Sequence, residues 1–406
     1  MPQTDDAQTE PYYDPYDFEI DADPYPVWKR LRDEQPLYRN EKYGFYALTR
    51  FDDVEKALVD WRTFSSARGT LLELINAVND GSFEIPAGSI IFEDPPAHDV
   101  HRKILSRVFT PKRMREIEPK VRDFCAANLD PLVGSGGFDF ITDIGVDVPM
   151  RTIGMFLGIP ESEQRANRDH IDDGLSMKTE GMPDLSSYDV ASQAQLFADY
   201  IEWRAENPSD DLMTDLLQAT YVDTDGVEKN LTREEVLGYV NLLAAAGNET
   251  TTRLIGWAGK VLSEHPDQQA ELAADRELVN QTIEELLRFE APSPVQARYV
   301  MNDVELHGET VPAGSSILLI NGSANRDERR FENGDSFNIH RDIDHHLSFG
   351  YGVHFCLGAH LARLEARVVL DEIVKRFPKW EVDLDNAVQA RTSTVRGWEK
   401  LPVLLP

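Results

Sequence analysis

The feature that most constrains this chain is a long, proline-free run of helical pattern near its middle. Thr232-Arg-Glu-Glu235 opens the run as a capping box, in which the Thr hydroxyl and the Glu carboxylate satisfy orphan amides reciprocally. No break follows until His265-Pro266, a stretch on the order of thirty residues, or about 50 Å at 1.5 Å per residue. A rod of that length crosses a whole domain. A second helix is expected from about Glu277 to Phe289, closing at Ala291-Pro292. Strand signals gather in two places. Arg298–Met301 and Val304–Ile320 alternate, with turn residues at His307-Gly308 and Pro312-Ala313-Gly314, and short strands are expected in WEVDL from Trp380 and in LPVLL near the end. The predicted class is mainly α with minor β. At 406 residues the length alone suggests two or three domains. The absence of repeats, low-complexity segments and Gly/Ser linkers argues instead for a single domain over 1–406, with about 1–20 a flexible acidic extension.

Composition excludes several functions. With 72 acidic against 41 basic residues the net charge is -31, a surface that repels nucleic acid and anionic lipid. The acidic, Pro- and Asp-rich start lacks the basic and apolar regions of a signal peptide, and no run reaches the roughly 18 apolar residues of a membrane span. Only Cys125 and Cys356 are present, far apart, so neither a disulfide framework nor zinc-ligand spacing exists. A cytoplasmic protein without a membrane anchor, and a monomer, is expected.

The chemistry concentrates in Leu347-Ser-Phe-Gly-Tyr-Gly-Val-His-Phe-Cys-Leu-Gly358, which precedes the helix-like run AHLARLEARVVLDEIVKRF. Glycines 350, 352 and 358 let the backbone fold tightly around one thiol. Cys356 then lies just before a helix N-terminus, where the dipole and free amides favour a negative sulfur. The plainer reading is a buried, inert cysteine in a Gly-rich turn, which is how Cys125 reads.

Three further segments lie in order with this loop. They are Glu285-Leu-Leu-Arg288, Ala246-Gly-Asn-Glu-Thr-Thr251, and Ala324-Asn-Arg-Asp327 with Phe331, Phe337 and Arg341. Together the four resemble the cytochrome P450 superfamily in its soluble bacterial form, over nearly the whole chain. The resemblance implies the P450 fold, with haem b between the long central helix and the cysteine-loop helix, and Cys356 as axial thiolate. Glu285 and Arg288 would form a structural ion pair, expected to be buried because their helix is apolar and ends at a proline. His98, Arg102, Arg298 and His354 would hold the haem propionates, His98 and Arg102 sharing a helical face at i,i+4. Ala246 would lie beside the haem. Glu249 as proton source and Thr250 as hydrogen-bond donor resemble the acid–alcohol pair that relays protons to bound dioxygen.

The implied activity is haem-thiolate monooxygenation, the insertion of one oxygen atom from O2 into a C–H bond of a small lipophilic substrate such as a terpenoid, steroid or fatty acid. A peroxide-driven peroxygenase and a non-catalytic haem sensor are the alternatives. The resemblance places Leu72, Ile91, Ala245, Ala246, Val295, Thr394 and Val395 around the substrate. The chain has no flavin or iron–sulfur signature, so electrons from NAD(P)H would arrive through a ferredoxin reductase and a ferredoxin. Between Arg102 and Arg115 stand six Lys or Arg residues and no acid (Arg102, Lys103, Arg107, Lys112, Arg113, Arg115). That island suits steering of an acidic ferredoxin.

Overall fold

Thr232 caps a helix of 32 residues, Arg233–Glu264. Both arms of its capping box form, Glu235 N–H donating to Thr232 Oγ1 at 3.1 Å and Thr232 N–H to Glu235 Oε2 at 2.7 Å. The structure, a computed structural model, describes residues 10–86, 88–106, 109–161, 164, 177, 179–183 and 197–406. The long helix is buried around much of its circumference, through Tyr239, Leu254, Trp257 and Val261, which marks it as a core element rather than a surface one. One apolar cluster joins it to helices Pro111–Leu129, Asp147–Leu157, Val279–Phe289 and Ala359–Arg376.

The segment expected as a helix from Glu277 starts as a 3-10 turn, Arg276–Leu278, and becomes α-helical over Val279–Phe289. Asp275 imposes the tight first turn by accepting the Glu277 N–H. Beside the helical layer lies a mixed sheet of five strands, ordered Leu37–Asn40, Phe45–Leu48, Ser316–Leu319, Gln296–Val300, Phe64–Ser65. Phe45–Leu48 and Ser316–Leu319 run parallel and the other pairs antiparallel. The hairpin Val304–Leu306/Glu309–Val311 turns at His307-Gly308, with φ of 51° and 84°, the paired left-handed geometry of a tight hairpin turn.

The N-terminal stretch differs from expectation. Residues 1–9 lie outside the described residues, but Tyr13, Asp14 and Tyr16 are buried and Asp17 caps a short helix, Phe18–Ala22. The Tyr16 hydroxyl donates to Glu73 Oε2 at 2.7 Å. Aromatic rings dock this acidic segment, because each buries enough apolar area to outweigh the composition around it. Among the described residues no helix is long and apolar enough to cross a membrane.

Candidate active site

The cysteine loop is shaped by its backbone. Gly350 and Gly352 adopt φ of 67° and 71°, and a Cβ on Gly352 would sit 3.0 Å from the Leu58 carbonyl oxygen, so a side chain there is excluded twice. Gly358 is different: its φ is -84°, it caps Ala359–Arg376, and nothing stands within 4 Å of where its Cβ would be. Its missing side chain keeps open the cavity that it lines. The Cys356 N–H donates to the Phe349 carbonyl at 2.8 Å, and the thiol opens onto a cavity of about 310 Å³. The depth of the site pushes this thiol up, while the Gly358 N–H and the Arg102 and Arg363 guanidinium groups draw it back down. Cys125 is sealed in the core instead, and burial pushes its thiol up to about 12.

Four donors gather on one wall of the same cavity: His98, Arg102, Arg298 and His354. The His98 and His354 rings lie 4.4 Å apart, and His354 Nε2 is buried without a hydrogen-bond partner among the described residues. Burial, then the charges of Arg298, His98 and Arg102, lower the His354 ring to about 3. Arg298 is 5% exposed, donates to the carbonyl of its own neighbour Ala297, and forms no ion pair among the described residues. Burial lowers it to about 10, so it stays charged at neutral pH. A buried guanidinium with no ion pair among the described residues, beside an orphaned ring nitrogen, suits a carboxylate-bearing guest.

The central helix forms the facing wall. Leu242, Ala246, Thr250 and Leu254, spaced by four, line the cavity with Gly247 and Thr251 beside them. Polar side chains fold back on this stretch: Asn248 Nδ2 donates to the Ala244 carbonyl at 2.8 Å, Thr250 Oγ1 to Ala246 at 3.0 Å and Thr252 Oγ1 to Asn248 at 2.9 Å, bonds that bend helices. Thr250 therefore reaches the cavity. Glu249 does not line it. The carboxylate pairs with Arg253 Nη2 at 3.1 Å, because the next residue on a helix is rotated by about 100°.

The expected substrate residues divide. Ile91 and Ala246 line the cavity, whereas Leu72, Val295, Thr394 and Val395 line a second space of about 50 Å³ beneath Tyr13, Tyr16 and Trp28. Ala245 lines neither. Strand alternation explains part of the split: Gln296 and Arg298 point into the main cavity, and Val295 and Ala297 to the other face. Thr70 lines both spaces. Residues not foreseen in the cavity include Leu242, Phe109, Gln296 and Glu365. The spacing of four from Ala246 points to Leu242, and a lone acid among Leu361, Leu364 and Val368 marks Glu365. Burial pushes Glu365 up to about 8; the nearby Thr152 and Thr251 hydroxyls oppose the shift, and neither carboxyl oxygen has a hydrogen-bond partner among the described residues.

Behind the loop, Arg288 grips Glu285 with two bonds of 2.7 Å, both side chains fully buried, and Arg341 adds a third contact at 3.2 Å. Arg288 also donates to the carbonyls of Asn325 and Gly334, fastening the segment that leads to the loop. Residues 183–397 match the family model for cytochrome P450.

The chain belongs to the cytochrome P450 family.

Its relatives span nearly all of its length. It is 38% identical over 394 residues to the putative cytochrome P450 123 of Mycobacterium tuberculosis, covering 96% of each chain. It is 34% identical to the vitamin D(3) 25-hydroxylase of Pseudonocardia autotrophica over 388 residues, 94% of each chain. Cytochrome P450 CYP109Q5 from Chondromyces apiculatus superposes with a TM-score of 0.84 at 33% identity, over 98% of this chain and 99% of that one. CYP109E1 from Bacillus megaterium, solved in complex with testosterone, gives 0.85 at 30% identity, over 95% and 98%. The protein is thus a P450 monooxygenase, an oxidoreductase of a family that implies a haem cofactor. The residues present fit that group: a thiol at the end of a Gly-walled cavity, and two guanidinium groups without an ion pair and an orphaned ring nitrogen among the described residues, suited to two propionates.

Proposed function

We propose that this P450, acting as one domain, holds haem b through Cys356 and inserts one oxygen atom from O2 into a C–H bond of a small lipophilic substrate. Electrons would come from NAD(P)H through a ferredoxin reductase and a ferredoxin. The observation that carries the reading is the donor wall, His98, Arg102, Arg298 and His354, which shares one cavity with Cys356 and in which Arg298 has no ion pair among the described residues. When bound, thiolate-ligated haem supplies the oxygen-activating chemistry, the sulfur pushing electron density onto iron.

The chain's own residues then have separate tasks. The donor wall neutralises and orients the carboxylates. Ile90, Ile91, Phe109 and Leu243 give the cavity an apolar lining that excludes water and favours a lipophilic guest. Thr250 Oγ1 lines the cavity with its proton donated to the Ala246 carbonyl, and that bond must break before the hydroxyl can donate to a guest. Glu249 supplies protons to Thr250 only when its carboxylate leaves Arg253. The relative named for vitamin D(3) and the neighbour solved with testosterone favour the steroid-like end of the substrate class.

The basic island supports an acidic electron donor. Lys103, Lys112 and Arg115 are exposed, whereas Arg113 leans on Phe156 and Asp215 and Arg107 lies outside the described residues. The test of the proposal is the coupling of Thr250→Ala with any substrate that shifts the spin state. NAD(P)H consumption should persist while product per NAD(P)H falls several-fold and hydrogen peroxide rises. Unchanged coupling would make Thr250 a packing residue and favour the peroxygenase alternative.

A further inference from the structure

Outside the cavity, three side chains interlock around the cysteine loop. Glu284, from helix Val279–Phe289, accepts Arg363 Nε at 2.6 Å and Nη2 at 2.9 Å. Arg363 belongs to the helix that starts just after Cys356, and its guanidinium lies 4.5 Å from the centre of the Phe349 ring. Phe349 is the residue whose carbonyl takes the Cys356 N–H. His346 completes the group. Its Nδ1 accepts the Ser348 N–H at 3.2 Å, which leaves the hydrogen on Nε2 to donate to Glu284 at 3.3 Å. Burial lowers the His346 ring, so it orients Glu284 as a neutral donor.

The fully buried Glu285–Arg288 pair ties helix Val279–Phe289 to the segment before the loop, whereas Glu284 and Arg363, which tie the same helix to Ala359–Arg376, are 33% and 32% exposed and line an open groove. Against the raising effect of burial, the His346 and Arg363 hydrogen bonds hold the Glu284 carboxyl down to about 2, so the pair stays charged at neutral pH. Its distinguishing property is position. One full positive and one full negative charge are held at fixed points beside the loop that carries the thiol.

We propose that the Glu284–Arg363 pair is a positioning element that sets the reduction potential of the iron bound by Cys356. The Arg363 charge raises the potential and the Glu284 charge lowers it. A cation near the metal favours the added electron, an anion opposes it, and a low-dielectric path through the Phe349 ring preserves both effects. The inference rests on Cys356 being the haem ligand.

Redox titration of the haem-loaded protein tests it, using Glu284→Gln, Arg363→Met and the double variant. Glu284→Gln should raise the potential and Arg363→Met should lower it. Each change is expected at about tenfold in the reduced-to-oxidised ratio, or about 59 mV for a one-electron couple. The double variant should return close to wild type, and added salt should shrink both shifts. Arg363→Lys keeps the charge without the fork, so it should stay near wild type. A shift of the same sign in both single variants, no shift in either, or an Arg363→Lys shift as large as that of Arg363→Met would overturn the proposal. The red-shifted Soret band of the reduced CO adduct, recorded on the same samples, separates the two levels. Its loss in the wild type would remove the ligand assignment itself, whereas its persistence without opposite shifts would remove only the role of the pair.

Discussion

The two walls of the cavity are built on different principles. The cysteine-loop wall is specified by backbone: two glycines in left-handed geometry, a Cys356 N–H fixed by Phe349, and a fully buried Glu285–Arg288 pair behind it. The central-helix wall is specified by side chains on a regular scaffold. Small residues, Ala246 and Gly247, leave space, and hydroxyls bond back to the preceding turn without interrupting the helix. The first wall tolerates few substitutions and suits the holding of a fixed group. The second permits exchange of shape at little cost and suits the selection of a guest.

The largest effect separating the walls is expected for Glu285→Gln. It leaves Arg288 buried with a charge and a weakened partner, which costs about 3–5 kcal/mol. A fall in thermal stability with loss of bound haem should be seen. Retention of both would mean that the loop does not depend on its support.

Glu365 sharpens the contrast in the pH dimension. Burial pushes its carboxyl up to about 8 from the ordinary 4.5, against the opposing Thr152 and Thr251 hydroxyls. The folded protein therefore holds a proton that the unfolded chain releases between those values, and stability attributable to this group falls as pH rises through that window. Glu365→Gln should melt with wild type at pH 4.5 to 5 and above it at pH 8. Parallel curves at every pH would refute the shift.

The smallest effects are expected where sequence and structure disagree about the guest. Enlarging Ile91 to Phe should alter the spin-state shift and affinity of a bulky lipophilic probe by several-fold, while Thr394→Ala, facing the other space, should leave both within about twofold. Equal effects at the two sites would join the two spaces into one binding region.

What could be read in the chain follows the same division. The capping box at Thr232 and the glycines at 350 and 352 are local demands, legible because few residue types meet them. The direction of Glu249 is not local. It depends on Arg253, whose guanidinium donates to the Trp398 carbonyl and whose aliphatic stem packs against Gly397, both from the far end of the chain. The resemblance places Val295 beside the substrate, but alternation along the adjoining strand turns it to the other face, a matter of register that one residue alone does not reveal. The packed N-terminus escaped for a similar reason, since Tyr16 finds Glu73 through tertiary contact.

The central claim is that Cys356, and not Cys125, binds the iron. The direct measurement is the Soret maximum of the dithionite-reduced CO adduct in Cys356→Ser and Cys125→Ser. The account predicts loss of the strongly red-shifted band in Cys356→Ser and its full retention in Cys125→Ser. A normal red-shifted band in Cys356→Ser, or its loss in Cys125→Ser alone, would contradict it.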